Sequence, residues 1–299
     1  MSSFLGLDIG GTKIAAGAFT HDGEKLAQHV LPTPSTYEDF LAVCAKAVAE
    51  VSGEADSTAP VGVGLPCAID QEKGSVISVN LPFLADHFFR DDLEKQLGRK
   101  VRLANDAHCM ALAEALHGAG KGSPSVFGMT IGTGVGGGFV YQGKIVEGPN
   151  GLAAEVGHIP LPYHEKKDGP VVRCGCGAVG CIETFASMRG LERLYKFVTG
   201  KEANGPEIVT QVRNRDEGAI EVLDRYYDVV AKAMSVVIYA YDPEVIVVSG
   251  GGNDLPLFYE EISQRWGQYC VVKELKTRLV KATHGPMAGL LGAALLWRD

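Results

Sequence analysis

The chain has 299 residues, 46% of them hydrophobic and 21% charged, an ordinary globular composition that excludes extensive disorder and suffices for about two domains. A net charge of −8 without any basic run argues against gripping a nucleic-acid backbone or an anionic membrane. No apolar stretch approaches the roughly 20 residues of a membrane-spanning helix, and seven cysteines, an odd number, do not read as a disulfide framework. With no basic flank ahead of the first apolar run, a signal peptide is not expected and the protein is placed in the cytoplasm. Glycine is the outlier: 38 residues, nearly twice the usual share of about 7%.

Residues 4–9 read as a short apolar strand stopped by Gly10-Gly11. Residues 14–19 return as a second strand, and His21-Asp22-Gly23 is a hairpin turn signal. Apolar spacing over 37–51 predicts an amphipathic helix with Ser35 or Thr36 as its N-cap. Residues 60–66 form a strand running into a turn, and 105–116 a helix whose first turn holds Asn105 and Asp106. A strand over 126–131 opens the glycine-rich run 132–138, read as a loop, and 139–141 and 145–146 are strand-like again. A long helix is predicted over 219–240, a β-branched strand over 245–249, a loop at Gly250, Gly251 and Gly252, and a helix over 286–297. Strand, glycine turn, then strand or helix is the recurring unit, so the chain is an α/β protein. The expected domain boundary is the small-residue stretch 117–122. There is no tandem repeat, yet each half carries an apolar strand ending in a glycine–threonine turn that feeds a second strand.

Five groups of residues carry chemistry. In Asp8-Ile9-Gly10-Gly11-Thr12-Lys13, glycines turn the backbone tightly and expose N–H groups toward an anion, while Asp8 is suited to magnesium through water. The same Gly-Gly also serves as a plain hairpin turn. Gly132-Thr133-Gly134-Val135-Gly136-Gly137-Gly138 satisfies the dinucleotide fingerprint in form, but a strand rather than a helix follows, so that reading fails on context. Together with Gly250, Gly251 and Gly252, three glycine turns at strand ends point to phosphate or nucleotide binding. Asn105-Asp106 at a helix start is a favoured capping pair, or else Asp106 is a general base, kept ionised and weak by the helix N-terminus. Weakness matters little in phosphoryl transfer, which asks mainly for positioning. Finally, His158, Cys174, Cys176 and Cys181 form H-x15-C-x-C-x4-C, a Cys3His set suited to a closed, structural tetrahedral zinc. Glu155 and Glu183 flank it, as carboxylates able to accept hydrogen bonds from sugar hydroxyls or as ordinary surface residues.

Taken in order, DIGGTK, GVGLP, Asn105-Asp106, IGTGVGGG, EVGH, CGCGxxGCIE and VSGGG resemble the ROK family of sugar kinases over essentially the whole chain. The resemblance implies a two-domain actin-like, hexokinase-type ATPase fold, a duplicated ribonuclease H-like α/β motif around a central cleft. It implies a small domain of 1–118 joined by the C-terminal helix (about 286–299), and a larger one of 119–285 with the zinc-binding insertion. It also implies magnesium–ATP as phosphoryl donor, transfer to a hexose 6-hydroxyl, Asp106 as the base and a homodimer without nucleic-acid or membrane partners. The first two glycine motifs would bind phosphates and Gly250–Gly252 flank the adenosine. Asn80, Asn105, Asp106, Glu155, His158 and Glu183 would hold the sugar, His158 also reaching the zinc through its other ring nitrogen. Over 173–183 the likeness points to members acting on N-acetyl-D-glucosamine, with glucose, fructose or N-acetylmannosamine as alternatives. Two departures fall where a sugar's substituents should be read: Pro66-Cys67 stands where the family commonly has Pro-Gly, and 80–90 lacks a tryptophan that many members carry. Repressors of the family carry a helix-turn-helix ahead of the sugar-binding portion, for which a phosphate motif starting at Asp8 leaves no room.

Overall fold

A computed structural model describes residues 3–54, 58–70, 72–77, 81–85 and 87–298, with the backbone alone at Glu54, Ala68 and Ile77. In chain order the strands and helices are β1 (Phe4–Ile9), β2 (Lys13–Phe19), β3 (Lys25–Pro32), α1 (Tyr37–Val51), β4 (Val61–Leu65), β5 (Ala68–Asp70), β6 (Ser75–Ile77), α2 (Phe89–Leu97), β7 (Val101–Asn105) and α3 (Asp106–His117). They continue with β8 (Ser125–Ile131), β9 (Val135–Tyr141), β10 (Lys144–Ile145), α4 (Glu183–Ala186), α5 (Met188–Thr199), α6 (Gly205–Arg213), α7 (Glu217–Tyr241), β11 (Val245–Ser249), α8 (Phe258–Arg265), β12 (Arg278–Lys281) and α9 (Ala288–Ala294). Among the described residues no helix is long and apolar enough to cross a membrane.

The chain divides into two compact units. The first holds Met1–Pro124, Gly138–Ala153 and Thr283–Asp299, the second Ser125–Gly137 and Ala154–Ala282. The first crossing therefore falls at Pro124–Ser125, just past the expected boundary, and the division passes through β9 between Gly137 and Gly138.

In the first unit a five-stranded sheet has the order β3-β2-β1-β4-β7. β1 pairs antiparallel with β2, bringing Asp8 beside Ala15, and parallel with β4, bringing it beside Gly64. Thr36 caps α1 by accepting the Asp39 N–H, and the apolar face of that helix (Phe40, Cys44, Ala47, Val48, Val51) is buried with β1 and β4 in the core. The C-terminal helix α9 packs directly on the sheet because glycine leaves room for it: a Cβ on Gly62 would lie 1.8 Å from the Ala293 carbonyl oxygen. Buried Glu114 on α3 accepts N–H groups from Ala119, Thr283 and His284 at 2.8–3.0 Å, satisfying three backbone donors.

The second unit is organised by α7, a 25-residue helix capped by Asp216, and by β11 lying parallel between β8 and β12. Lys232 of α7 is fully buried and sits 2.9 Å from both carboxylate oxygens of Asp168, which ties the segment following His158 to the core helix.

Three sequence expectations change. The run 132–138 is a loop only at its start, since β9 begins at Val135; its glycines hid an alternating strand. The helix expected over 286–297 is a 3₁₀ turn (Gly285–Met287), then α9, then a second 3₁₀ turn (Leu295–Trp297), and Gly251–Asp254 is likewise a 3₁₀ turn rather than a loop. Strand β3 was not expected, because an edge strand with a largely exposed face carries little apolar signal.

Candidate active site

In the first unit the glycine turn after β1 is held open by Thr33. Its hydroxyl donates to the Gly10 carbonyl at 2.7 Å and its N–H to the Thr12 carbonyl at 3.1 Å. Two carbonyls of the turn are thus drawn to one side, while the Gly10 N–H closes the turn onto the Lys13 carbonyl at 2.9 Å. Sequence reasoning missed Thr33, which lies in an unremarkable Thr-Pro-Ser-Thr stretch 23 residues from Gly10.

Asp8, at the end of β1, is nearly buried. That burial, and then the nearby Asp106, raise its carboxyl to about 6, against an opposing pull from Lys13. Burial likewise raises Asp106, although it accepts the Ala107 N–H at 2.8 Å and His108 lies near. The expectation that the helix N-terminus would weaken this base is therefore corrected: loss of water outweighs the helix dipole. Asn105 does cap α3, accepting the Ala107 N–H at 2.8 Å, while its amide donates to the Cys67 carbonyl at 3.2 Å. This fixes the pair at the helix start. His108, held below its usual value first by burial, lies 2.9 Å from the Ala153 carbonyl. Asn80 lies outside the described residues.

In the second unit the structure gathers most of the remaining candidates. Gly132 N–H donates to the Gly134 carbonyl at 3.0 Å, closing the turn that contains Thr133, and Gly136 N–H donates to the Thr130 hydroxyl at 3.0 Å. Glu183, at the start of α4, accepts the Val135 N–H at 3.2 Å; a Cβ on Gly134 would stand 2.3 Å from the same carboxylate. Gly250, at φ +91°, abuts this turn, its Cβ position 2.5 Å from the Ile131 carbonyl oxygen, while Gly251 and Gly252 pack on Met188 and Ile131. Gly137 lies against Ala154, and back in the first unit Gly138 lies against Ala107. These glycines thus serve close packing as well as backbone exposure.

Donor atoms of His158, Cys174, Cys176 and Cys181 all lie within 4.8 Å of one another. Cys176 and Cys181 sulfurs are 3.7 Å apart, and Cys174 sulfur is 3.6 Å from His158 Nδ1. A tetrahedron with Zn–S of about 2.3 Å and Zn–N of about 2.0 Å has edges of roughly 3.8 and 3.6 Å, and a disulfide would need about 2.05 Å. The set therefore fits a tetrahedral cation. Burial pushes the Cys181 thiol up to about 12 and raises Cys174 as well, so a cation must displace those protons. The other ring nitrogen of His158, Nε2, is 4.0 Å from Glu155: one face of the imidazole looks to the thiols and the other to a carboxylate.

The chain is similar to known proteins over nearly its whole length. An N-acetyl-D-glucosamine kinase of Vibrio parahaemolyticus is 37% identical over 298 residues, 98% of this chain and 99% of that one. The ROK hexokinase of Thermus thermophilus superposes with a TM-score of 0.86 at 34% identity, over 98% of this chain and 97% of its own. A ROK glucokinase of Streptomyces griseus, solved with glucose and AMPPNP, gives 0.79 at 29% identity over 99% of both chains. The class is that of the sugar kinases with an actin-like, two-domain ATPase fold. Within it the pattern defining the ROK family matches residues 4–299, and the chain belongs to that family.

Proposed function

We infer that the protein transfers the γ-phosphoryl group of ATP to the 6-hydroxyl of N-acetyl-D-glucosamine, giving the 6-phosphate and ADP. The observation that carries the reading is Asp106, a carboxylate whose proton affinity is raised by desolvation and which stands beside Asn105 at a helix start. Asp106 takes the proton of the attacking hydroxyl, and Asn105, Asn80, Glu155, His158 and Glu183 hold and orient the sugar through its hydroxyls and amide. The turn at Gly10, Gly11, Thr12 and Lys13 and the turn at Gly132–Gly134 bind phosphates, and Gly250–Gly252 flank the adenosine.

Two mutually repelling carboxylates, Asp8 and Asp106, are donor chemistry suited to a divalent cation; Asp8 would hold magnesium through water, and that ion supplies charge neutralisation for the phosphates. His158, Cys174, Cys176 and Cys181 would hold zinc, whose service is structural because four protein donors close the site. A homodimer is the expected assembly.

For the sugar, likeness over 98% of the chain to kinases of N-acetyl-D-glucosamine supports that substrate. Glucose is the second reading, supported by the 29% identity to the Streptomyces griseus glucokinase solved with glucose and AMPPNP. The deciding measurement is kcat/KM for N-acetylglucosamine, N-acetylmannosamine, glucose and fructose under one magnesium–ATP condition. A site that hydrogen-bonds the amide rejects sugars lacking it, because its own polar groups are then left unpaired. Glucose or fructose in first place overturns the acetamido reading.

A further inference from the structure

Glu155 and His158 stand in the short turn that follows Ala154, and Ala154 has the unusual backbone of that turn. Its φ is +67°, a left-handed conformation that a β-carbon disfavours, and it is 1% exposed. Such a conformation persists where the surroundings over-determine it. The Ala154 N–H donates to the Tyr241 hydroxyl at 2.8 Å, and its carbonyl accepts the Val156 N–H at 2.7 Å. That carbonyl also lies 2.2 Å from where a Cβ on Gly137 would stand, and the Phe127 ring lies 2.8 Å from the same point. Phe127 is fully buried and packs on the Tyr241 ring with centroids 5.1 Å apart. Tyr241, the last residue of α7, thus closes a circuit of four residues around one backbone turn, and the next residue in that turn is Glu155.

We propose that Tyr241 is a positioning residue for the sugar: its hydroxyl holds Ala154 in the left-handed conformation and thereby aims Glu155 and His158. The proposal rests on the assignment of those two side chains to the sugar. Without the hydroxyl, the Ala154 N–H is buried without its acceptor, and the alanine relaxes toward the conformations its side chain prefers, turning the residues that follow. Glycine at 154 adopts a positive φ without that steric cost, so it makes the hydroxyl dispensable for aiming the turn.

The test is a cycle of Y241F, A154G and the double variant in the full chain, with kcat, both KM values and Tm measured for each. Y241F is expected to raise the sugar KM roughly fivefold, the size of one lost hydrogen bond, with the ATP KM unchanged. Adding A154G is expected to bring the sugar KM back to that of A154G alone. An unmoved sugar KM in Y241F, whether or not Tm falls, overturns the proposal, as does a rise that A154G fails to relieve. A wild-type protein that turns over no sugar fails the functional assignment and this inference with it, whereas an active wild type with an unmoved Y241F fails the inference alone.

Discussion

The two five-stranded sheets share one layout, β3-β2-β1-β4-β7 and β10-β9-β8-β11-β12, so that β1 corresponds to β8 and the turn at Gly10 to the turn at Gly132. Both turns close with an N–H of the leading glycine, onto the Lys13 carbonyl at 2.9 Å in one and the Gly134 carbonyl at 3.0 Å in the other. What differs is the chemistry two residues earlier and the brace behind. The first sheet has Asp8, a buried carboxylate raised to about 6, where the second has Thr130, a neutral hydroxyl occupied by the Gly136 N–H. The first turn is braced by Thr33, which follows β3, and the second by Glu183, a candidate sugar ligand. A shared backbone scaffold has thus been given a charged, internally strained end in one copy and a neutral end braced by a candidate sugar ligand in the other.

Four experiments break or sharpen that contrast. The largest effect is expected at the charged end. Asp106→Asn should lower kcat by about 10²-fold or more, as loss of a general base does, with the fold and sugar binding retained. Turnover near that of the wild type would leave Asp106 only its place at the start of α3.

Asp8 should show the same strain as stability. Its carboxyl titrates near 6 in the folded protein against 3.8 when unfolded, so the folded state binds more protons between those values. Stability from this group is therefore greatest below about pH 4 and falls as pH rises toward 6 and beyond. Asp8→Asn removes that loss: measured in EDTA, it should stabilise the protein by about 3 kcal/mol at pH 7 and by well under about 1 kcal/mol at pH 4, while abolishing turnover. Equal stability of the two proteins at pH 7 would mean that the carboxylate is not strained.

The neutral end should depend on the metal site instead. Elemental analysis is expected to find one zinc per chain in the wild-type protein and none in Cys181→Ser, whose Tm should fall and whose sugar KM should rise about 10- to 100-fold, the usual range for loosening a metal site's support. A variant that binds sugar normally without zinc would separate the thiols from recognition. The smallest effects compare the two braces. Glu183→Ala should raise the KM for both sugar and ATP about tenfold. Thr33→Val removes one side-chain hydrogen bond and should raise only the ATP KM, roughly fivefold. Equal effects of Thr33→Val on both substrates would erase the distinction between the turns.

Most of the strand framework was legible because its signals are local. Residues 4–9 and 245–249 are apolar runs ended by glycines, and Tyr37–Val51 has helical spacing with Thr36 as its cap. Strand β3 gave no strand signal because its residues do not sort by face, Leu26 and Val30 being exposed while His29 is half-buried, and the first half of β9 gave none because three consecutive glycines fill it. The candidate metal ligands were readable from type and spacing, since few roles other than a tetrahedral site require three cysteines and a histidine so placed. Thr33, Thr130 and Tyr241 were not, because a threonine or tyrosine acquires a positioning role only when a backbone group from a distant segment comes within about 3 Å of it.

By itself the amino-acid sequence determined the α/β character of the chain, the glycine turns at strand ends, the Asn105-Asp106 pair at a helix start and the order of motifs that place it among the ROK proteins. These rest on periodicity, on backbone freedom at glycine and on donor type, which are properties of neighbouring residues. The tertiary structure alone decided that burial, and not the helix dipole, governs Asp106, and that the thiols and the imidazole meet at tetrahedral edge lengths. It alone decided that Ala154 is held left-handed beneath a tyrosine 87 residues away. Desolvation and hydrogen-bond reach depend on what the folded chain packs around a group, and no local pattern of residues carries that information.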